Sequence, residues 1–274
     1  MAITNITLLA SRALLSQAAY GKTEQAGGLR RALTEDAKFT STQFDTFNTN
    51  FELVTTQPNE SNGFSATVYR ERTSDNTGRL IFATRGTEFD FPGGLLQDFL
   101  SADLLGIGAL GYANYQAASM YRYWKRLTTP GGEVVAYSDQ EVFQLYTIQN
   151  GLTTPLQMAS PEFLQFAAEV RADVGVTAGQ PAGTALIAAG SKVDVVGHSL
   201  GGHLAMLFAR FFPQNVNSAA GVSPDRTSSV RCRTHHPRPV RNERRGGCVW
   251  TWDMPCGMSR ASRIRAACRP RGGP

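Results

Sequence analysis

The residues whose types and spacing carry the most chemistry are Gly197-His198-Ser199-Leu200-Gly201, a G-x-S-x-G pattern between Val193-Asp194-Val195-Val196 and the apolar run from Leu204 to Phe212. A serine on a sharp strand-to-helix turn needs neighbours without side chains, and the flanking glycines supply that room. Such a turn directs the hydroxyl and the next backbone N–H groups toward one point at a helix N-terminus, where developing negative charge is favoured. The pattern predicts nucleophilic acyl transfer, with Ser199 attacking and the Leu200 amide holding the oxyanion. A glycine-rich turn approaching a phosphate is the competing reading, and it lacks the lysine that a P-loop places after its glycines.

Other polar groups nearby read as structural. A residue next to the nucleophile in an elbow turns its side chain away from the reacting hydroxyl, so His198 is expected to be packed or hydrogen-bonded, not a base. His203 falls in the first helical turn, and Asp194 alternates away from Val193 and Val195 as a strand-edge polar group, not a triad acid.

The elements that must position this turn are legible as periodicities. Residues 1–21 read as an amphipathic helix with Ile6, Leu9, Ala10, Ala13, Leu14 and Ala18 on one face. A shorter helical candidate follows at 29–47. Residues 51–57 and 64–72 alternate apolar and polar groups around a Pro58–Gly63 turn, which predicts an antiparallel hairpin. Leu80 to Ala83 form a continuous apolar run, as expected of a strand buried on both faces. From Leu95 to Leu127 the pattern is helical, with an expected glycine-rich break at 106–111. Residues 128–160 read as a loop with room for a lid. Ser160 then caps a helix that has Pro161 at its first position.

Taken together, VDVVGHSLGGHLAMLFA and FATRGTE resemble the fungal-type (class 3) lipases and their bacterial relatives, a branch of the α/β-hydrolases. The resemblance covers residues 1 to about 218 and is strongest at 79–104 and 192–212. It implies an α/β fold with a mostly parallel central sheet and helices on both faces. The implied activity is hydrolysis of carboxylic esters, lipase- or phospholipase-like, on a lipid or small ester substrate and without a cofactor. It places the second half of the oxyanion hole on Thr87, and it makes Asp98 or Asp103 a structural aspartate. Independently, Thr87 stands just past the end of a buried strand, where open α/β sheets place their sites, although a turn threonine without chemistry fits the same position.

Composition separates the chain into two parts. The net charge of +5 invites a nucleic-acid reading, yet residues 219–274 hold twelve arginines, no lysine and three acidic residues, and the remainder is mildly acidic. With no basic stripe on residues 1–218, nucleic acid is not the expected partner. Nor is a transmembrane segment, because no run is long and apolar enough. The N-terminus lacks a basic region ahead of its apolar stretch, a poor match to a secretory signal peptide.

All four cysteines, Cys232, Cys248, Cys256 and Cys268, lie in the second part, and none is paired at zinc-ligand spacing. After a nucleophile elbow this fold should supply a strand and a helix, with an acid and then a histidine on loops. Residues 219–274 show no such periodicity. Asp225 with His235 or His236 has the triad order but too little chain between them. The expectation is a hydrolase domain, residues 1–218, that is incomplete at its C-terminus. It is followed by an Arg/Pro/Cys-rich segment, 219–274, that reads as disordered or as an out-of-frame translation of G+C-rich coding sequence beginning near 218–225. A catalytically incompetent hydrolase fold lacking the triad Asp and His is the alternative this raises.

Overall fold

The computed structural model describes residues 2–75, 77–86, 104–151, 153–177, 181, 183–222, 227–231 and 250–252; for 2–9, 104–112, 222, 227–231 and 250–252 only the backbone is described. In chain order the elements are α1 (Ala2–Ala18), α2 (Gly28–Arg31), a π-helical turn (Ala32–Asp36), α3 (Ser41–Asn50), β1 (Phe51–Gln57), β2 (Ala66–Glu71) and β3 (Leu80–Thr84). Then come α4 (Leu104–Leu127), α5 (Asp139–Asn150), α6 (Pro161–Arg171), β4 (Val193–His198), α7 (Leu200–Phe211), β5 (Val216–Val222), β6 (Thr227–Arg231) and β7 (Trp250–Trp252).

The strands form one sheet in the order β1-β2-β3-β4-β5, continued by β6 and β7. The sheet is mixed, where a mostly parallel one was expected. β1, β2 and β3 pair antiparallel, β3-β4 and β4-β5 are parallel, and β5-β6 is antiparallel again. Short turns can join only antiparallel neighbours, as between β1 and β2, whereas the parallel pairs need helical crossovers. The longest crossover runs through α4, α5 and α6 between β3 and β4, and α7 links β4 to β5.

Alternation along the strands covers both faces. Phe82, Val193, Val195 and Ala219 pack with Met120, Trp124, Leu204 and Phe208 of α4 and α7. Ile81, Ala83, Val196 and Ala220 pack with Leu15 and Ala18 of α1, with Ala19 just after it, and with Phe44 and Phe47 of α3. A third cluster, outside the sheet, joins α4, α5 and α6 through Tyr121, Val142, Leu145, Phe163, Ala167 and Val170.

Three sequence expectations are corrected. The buried side of α1 holds Arg12, Leu15, Ser16 and Ala18, and Ala10 and Ala13 are exposed. The helix is rotated because Arg12 reaches beneath the sheet to donate a hydrogen bond to Ser218 Oγ at 2.8 Å. The expected break at 106–111 is absent, since α4 continues through it as one helix; Gly106, Gly108 and Gly111 each cost a helix about 1 kcal/mol without ending it.

Residues 128–160 are not all loop, because α5 occupies 139–150. Ser138 Oγ accepts from the Glu141 amide and the Glu141 carboxylate accepts from the Ser138 amide, a capping box that starts the helix. The expected Ser160 cap is present, with Ser160 Oγ accepting from the Phe163 amide and Pro161 following it.

Candidate functional site

Val193, Val195 and Val196 carry β4 to the carboxyl edge of the parallel strands, and α7 begins at once with Leu200, four residues ahead of the apolar run that starts at Leu204. Ser199 alone joins the two. Its backbone sits at φ 56°, ψ −124°, and it is one of two non-glycine residues at positive φ among the described residues. Such a conformation costs on the order of 1–3 kcal/mol in a residue with a Cβ and persists only where the surroundings enforce it. The hydroxyl is exposed and does not cap the helix it precedes.

The enforcing contacts come from three glycines. A Cβ on Gly197 would lie 2.2 Å from the Gly201 carbonyl oxygen, and one on Gly201 would lie 2.4 Å from the Thr84 carbonyl oxygen. A Cβ on Gly202 would meet Gly221 Cα at 2.9 Å. The turn therefore lies directly against the ends of β3 and β5, and every residue of it that faces a neighbouring strand must lack a side chain. Within the turn, the Gly202 amide donates to the Ser199 carbonyl at 2.9 Å and the His203 amide to the same oxygen at 3.3 Å. The amides of Leu200 and Gly201 open the helix, at the end where backbone N–H groups have no intrahelical acceptor.

The end of β3 is the second wall. Thr84 is fully buried, and its hydroxyl lies 2.7 Å from the Gly201 carbonyl oxygen and 3.1 Å from that of Val196. Two residues on, a Cβ at Gly86 would meet the His198 carbonyl oxygen at 2.8 Å and the Gly201 amide nitrogen at 3.4 Å. The chain leaving β3 thus passes over the mouth of the elbow. Thr87, Asp98 and Asp103 follow it and lie outside the described residues, as do Asp225, His235 and His236.

His198 is hydrogen-bonded, as the sequence reading has it, whereas Asp194 is buried in the central strand β4 and is not the strand-edge polar group expected. His198 Nδ1 is 3.2 Å from the Tyr20 hydroxyl, and partial burial holds its imidazole below the usual pKa. His203 is exposed on α7. Asp194 is buried, accepts from Ser218 Oγ at 2.6 Å and pairs with Arg79 at 3.4 Å. It ties β4 to β5, and through Ser218 to Arg12 of α1. Sequence reasoning missed Thr84 and Tyr20. A single hydroxyl within an apolar strand gives no hint of its partners, and Tyr20 lies 178 positions from His198. Gly86, in contrast, was readable as a small residue between a strand end and a threonine.

Among the described residues, Ser199 Oγ has no histidine or carboxylate hydrogen-bonded to it. None of them forms a group of three or more potential metal ligands, and no described helix is long and apolar enough to cross a membrane. No family model, no curated protein and no solved structure matches the chain.

Proposed function

We propose that the chain is a serine hydrolase of carboxylic esters with an α/β-hydrolase fold, lipase-like in its preference for lipid esters. The observation that carries this reading is the positive φ of Ser199 on a one-residue joint between a buried parallel strand and a helix. A structural turn at this point would be relaxed by glycine; a serine held there in strain, with its hydroxyl exposed, suits a displayed nucleophile.

In the proposed reaction Ser199 Oγ adds to the ester carbonyl, and the amides of Leu200 and Thr87 hold the oxyanion. Collapse expels the alcohol and leaves an acyl-serine, which water hydrolyses to the acid. The proton of Ser199 must pass to a base and on to the departing alcohol. The lipid preference rests on the resemblance of residues 79–104 and 192–212 to class 3 lipases.

A second reading, a hydrolase fold without turnover, is favoured by the absence of a histidine or carboxylate at Ser199 Oγ among the described residues. Hydrolysis of p-nitrophenyl esters of increasing acyl length separates the two. The first reading predicts turnover that falls on the order of a million-fold in S199A. Equal rates for the wild type and S199A would overturn it.

A further inference from the structure

Two backbone carbonyls, Val196 O just before the elbow and Gly201 O just after it, converge on one buried side chain, the hydroxyl of Thr84. These carbonyls bracket Ser199, so one group on a neighbouring strand spans the whole strained joint. The helix's own hydrogen bonds run along α7 and cannot tie its first turn to β3. A buried hydroxyl reaching the Gly201 carbonyl can. The same residue's main chain presses against Gly201, with the Thr84 carbonyl oxygen 2.4 Å from where a Cβ would stand. It then continues through Gly86, over the His198 carbonyl and the Gly201 amide, toward Thr87.

Resting on the hydrolase reading above, we infer that Thr84 is a positioning residue: its hydroxyl staples the elbow to the end of β3 and so holds Ser199 and the Leu200 amide, the proposed oxyanion donor, in place against that strand end. Serine keeps the staple without the methyl group, whereas valine keeps the volume and removes the donor. T84V removes the one buried hydroxyl donor that the Val196 and Gly201 carbonyls share. The elbow then relaxes away from β3, and Ser199 loses its fixed position against that strand end. Geometry at a reacting centre is steep, and a displacement of about 1 Å can cost on the order of a hundredfold in rate.

Two readouts on the full chain keep the staple and the hydrolase reading apart. The first is exchange of the Gly202 and His203 backbone amides, both bonded to the Ser199 carbonyl, compared between wild type, T84V and T84S under conditions where thermal melting shows all three folded. Exchange accelerated about tenfold in T84V, and near wild type in T84S, is expected for the staple. Unchanged exchange in T84V overturns it.

The second is the rate of Ser199 labelling by a fluorophosphonate, whose phosphoryl oxygen takes the oxyanion's place. A fall of roughly 10- to 100-fold in T84V with rescue in T84S is expected. Wild-type labelling in T84V, or equal losses in T84V and T84S, overturns the positioning role. A wild type that exchanges as expected but takes no label overturns the hydrolase reading while the staple stands.

Discussion

The elbow around Ser199 and the flank built from α4, α5 and α6 sit on the same sheet and are held in opposite ways. At the elbow the constraint is backbone against backbone. Gly197, Gly201 and Gly202 let the chain close on β3 and β5, Thr84 bridges two carbonyls, and the one residue with an exposed side chain at the joint is strained. On the flank the constraint is made by side chains. Asp173 is gripped by two nitrogens of Arg122 at 2.7 and 2.8 Å and by the Tyr137 hydroxyl at 2.9 Å, while Glu141 binds Tyr121 and Lys125 and caps α5.

On the flank, Asp139, Glu141 and Asp173 each pair with a basic residue of a neighbouring helix. Strain at the elbow joins nothing that a glycine would not join better. That contrast is why the chemistry is assigned to the elbow and not to the flank's more numerous ionisable groups.

Substitutions should separate the two regions. The largest effect is expected for G201V, whose side chain would have to enter the space of the Thr84 carbonyl oxygen and the Gly86 amide nitrogen, 2.4 and 2.9 Å from the Cβ position. Urea denaturation should show a loss of about 3–5 kcal/mol or no folded protein. Valine tolerated there at near wild-type stability would remove the close-packing account of the turn.

Next is D173N on the flank. It leaves the Arg122 guanidinium half-buried without its counter-charge and should cost about 2–4 kcal/mol in the same assay. The variant that folds should still label at Ser199 at the wild-type rate. A lost label in folded D173N would mean that the flank takes part in the chemistry.

A third, smaller effect is pH-dependent. Burial acts to raise the pKa of Glu141, but hydrogen bonds from Ser138, Lys125 and Tyr121 outweigh it and bring the carboxyl down from 4.5 to about 2. Because the folded value is the lower one, the stability it contributes is present above 4.5 and is lost as pH falls through about 2. E141Q should therefore be about 1–2 kcal/mol less stable than wild type at pH 7, after allowance for partial exposure. The gap should close between pH 4.5 and 2 in paired melting curves. A gap independent of pH would show that the helix cap, not the charge, is what the substitution removes.

The smallest effect has the opposite sign. S199G relieves the positive φ, and after the added backbone freedom of glycine is counted it should stabilise the fold by about 0.5–1 kcal/mol. Loss of stability in S199G would mean that Ser199 is there for the fold.

How much of this was visible in the sequence differs between the same two regions. The elbow was, because strand, glycine, serine, glycine and helix occur consecutively and each constrains the next. The β1-β2 hairpin was too, its period-two pattern and its turn being local. The flank was not. Pro130, Gly131 and Gly132 suggested loop and masked the capping box from Ser138 to Glu141, although the apolar spacing of Val142, Leu145 and Tyr146 behind it was a usable signal.

The face of α1 was misjudged for a different reason. Burying Arg12 makes sense only with Asp194 and Ser218 beneath it, about two hundred residues away in the chain, and a periodicity search scores arginine as a solvent residue. Thr84 was hidden in the same way, since its partners Val196 and Gly201 are brought to it only by the parallel pairing of β3 with β4. Local patterns were readable, and polar groups satisfied across the sheet were not.

The central claim, that Ser199 is a displayed nucleophile, is tested most directly by treating the folded full chain with a fluorophosphonate probe and mapping the adduct by mass spectrometry. The account predicts a single adduct on Ser199, absent in S199A. Folded wild-type protein that takes no label, or a label that persists in S199A, would contradict it.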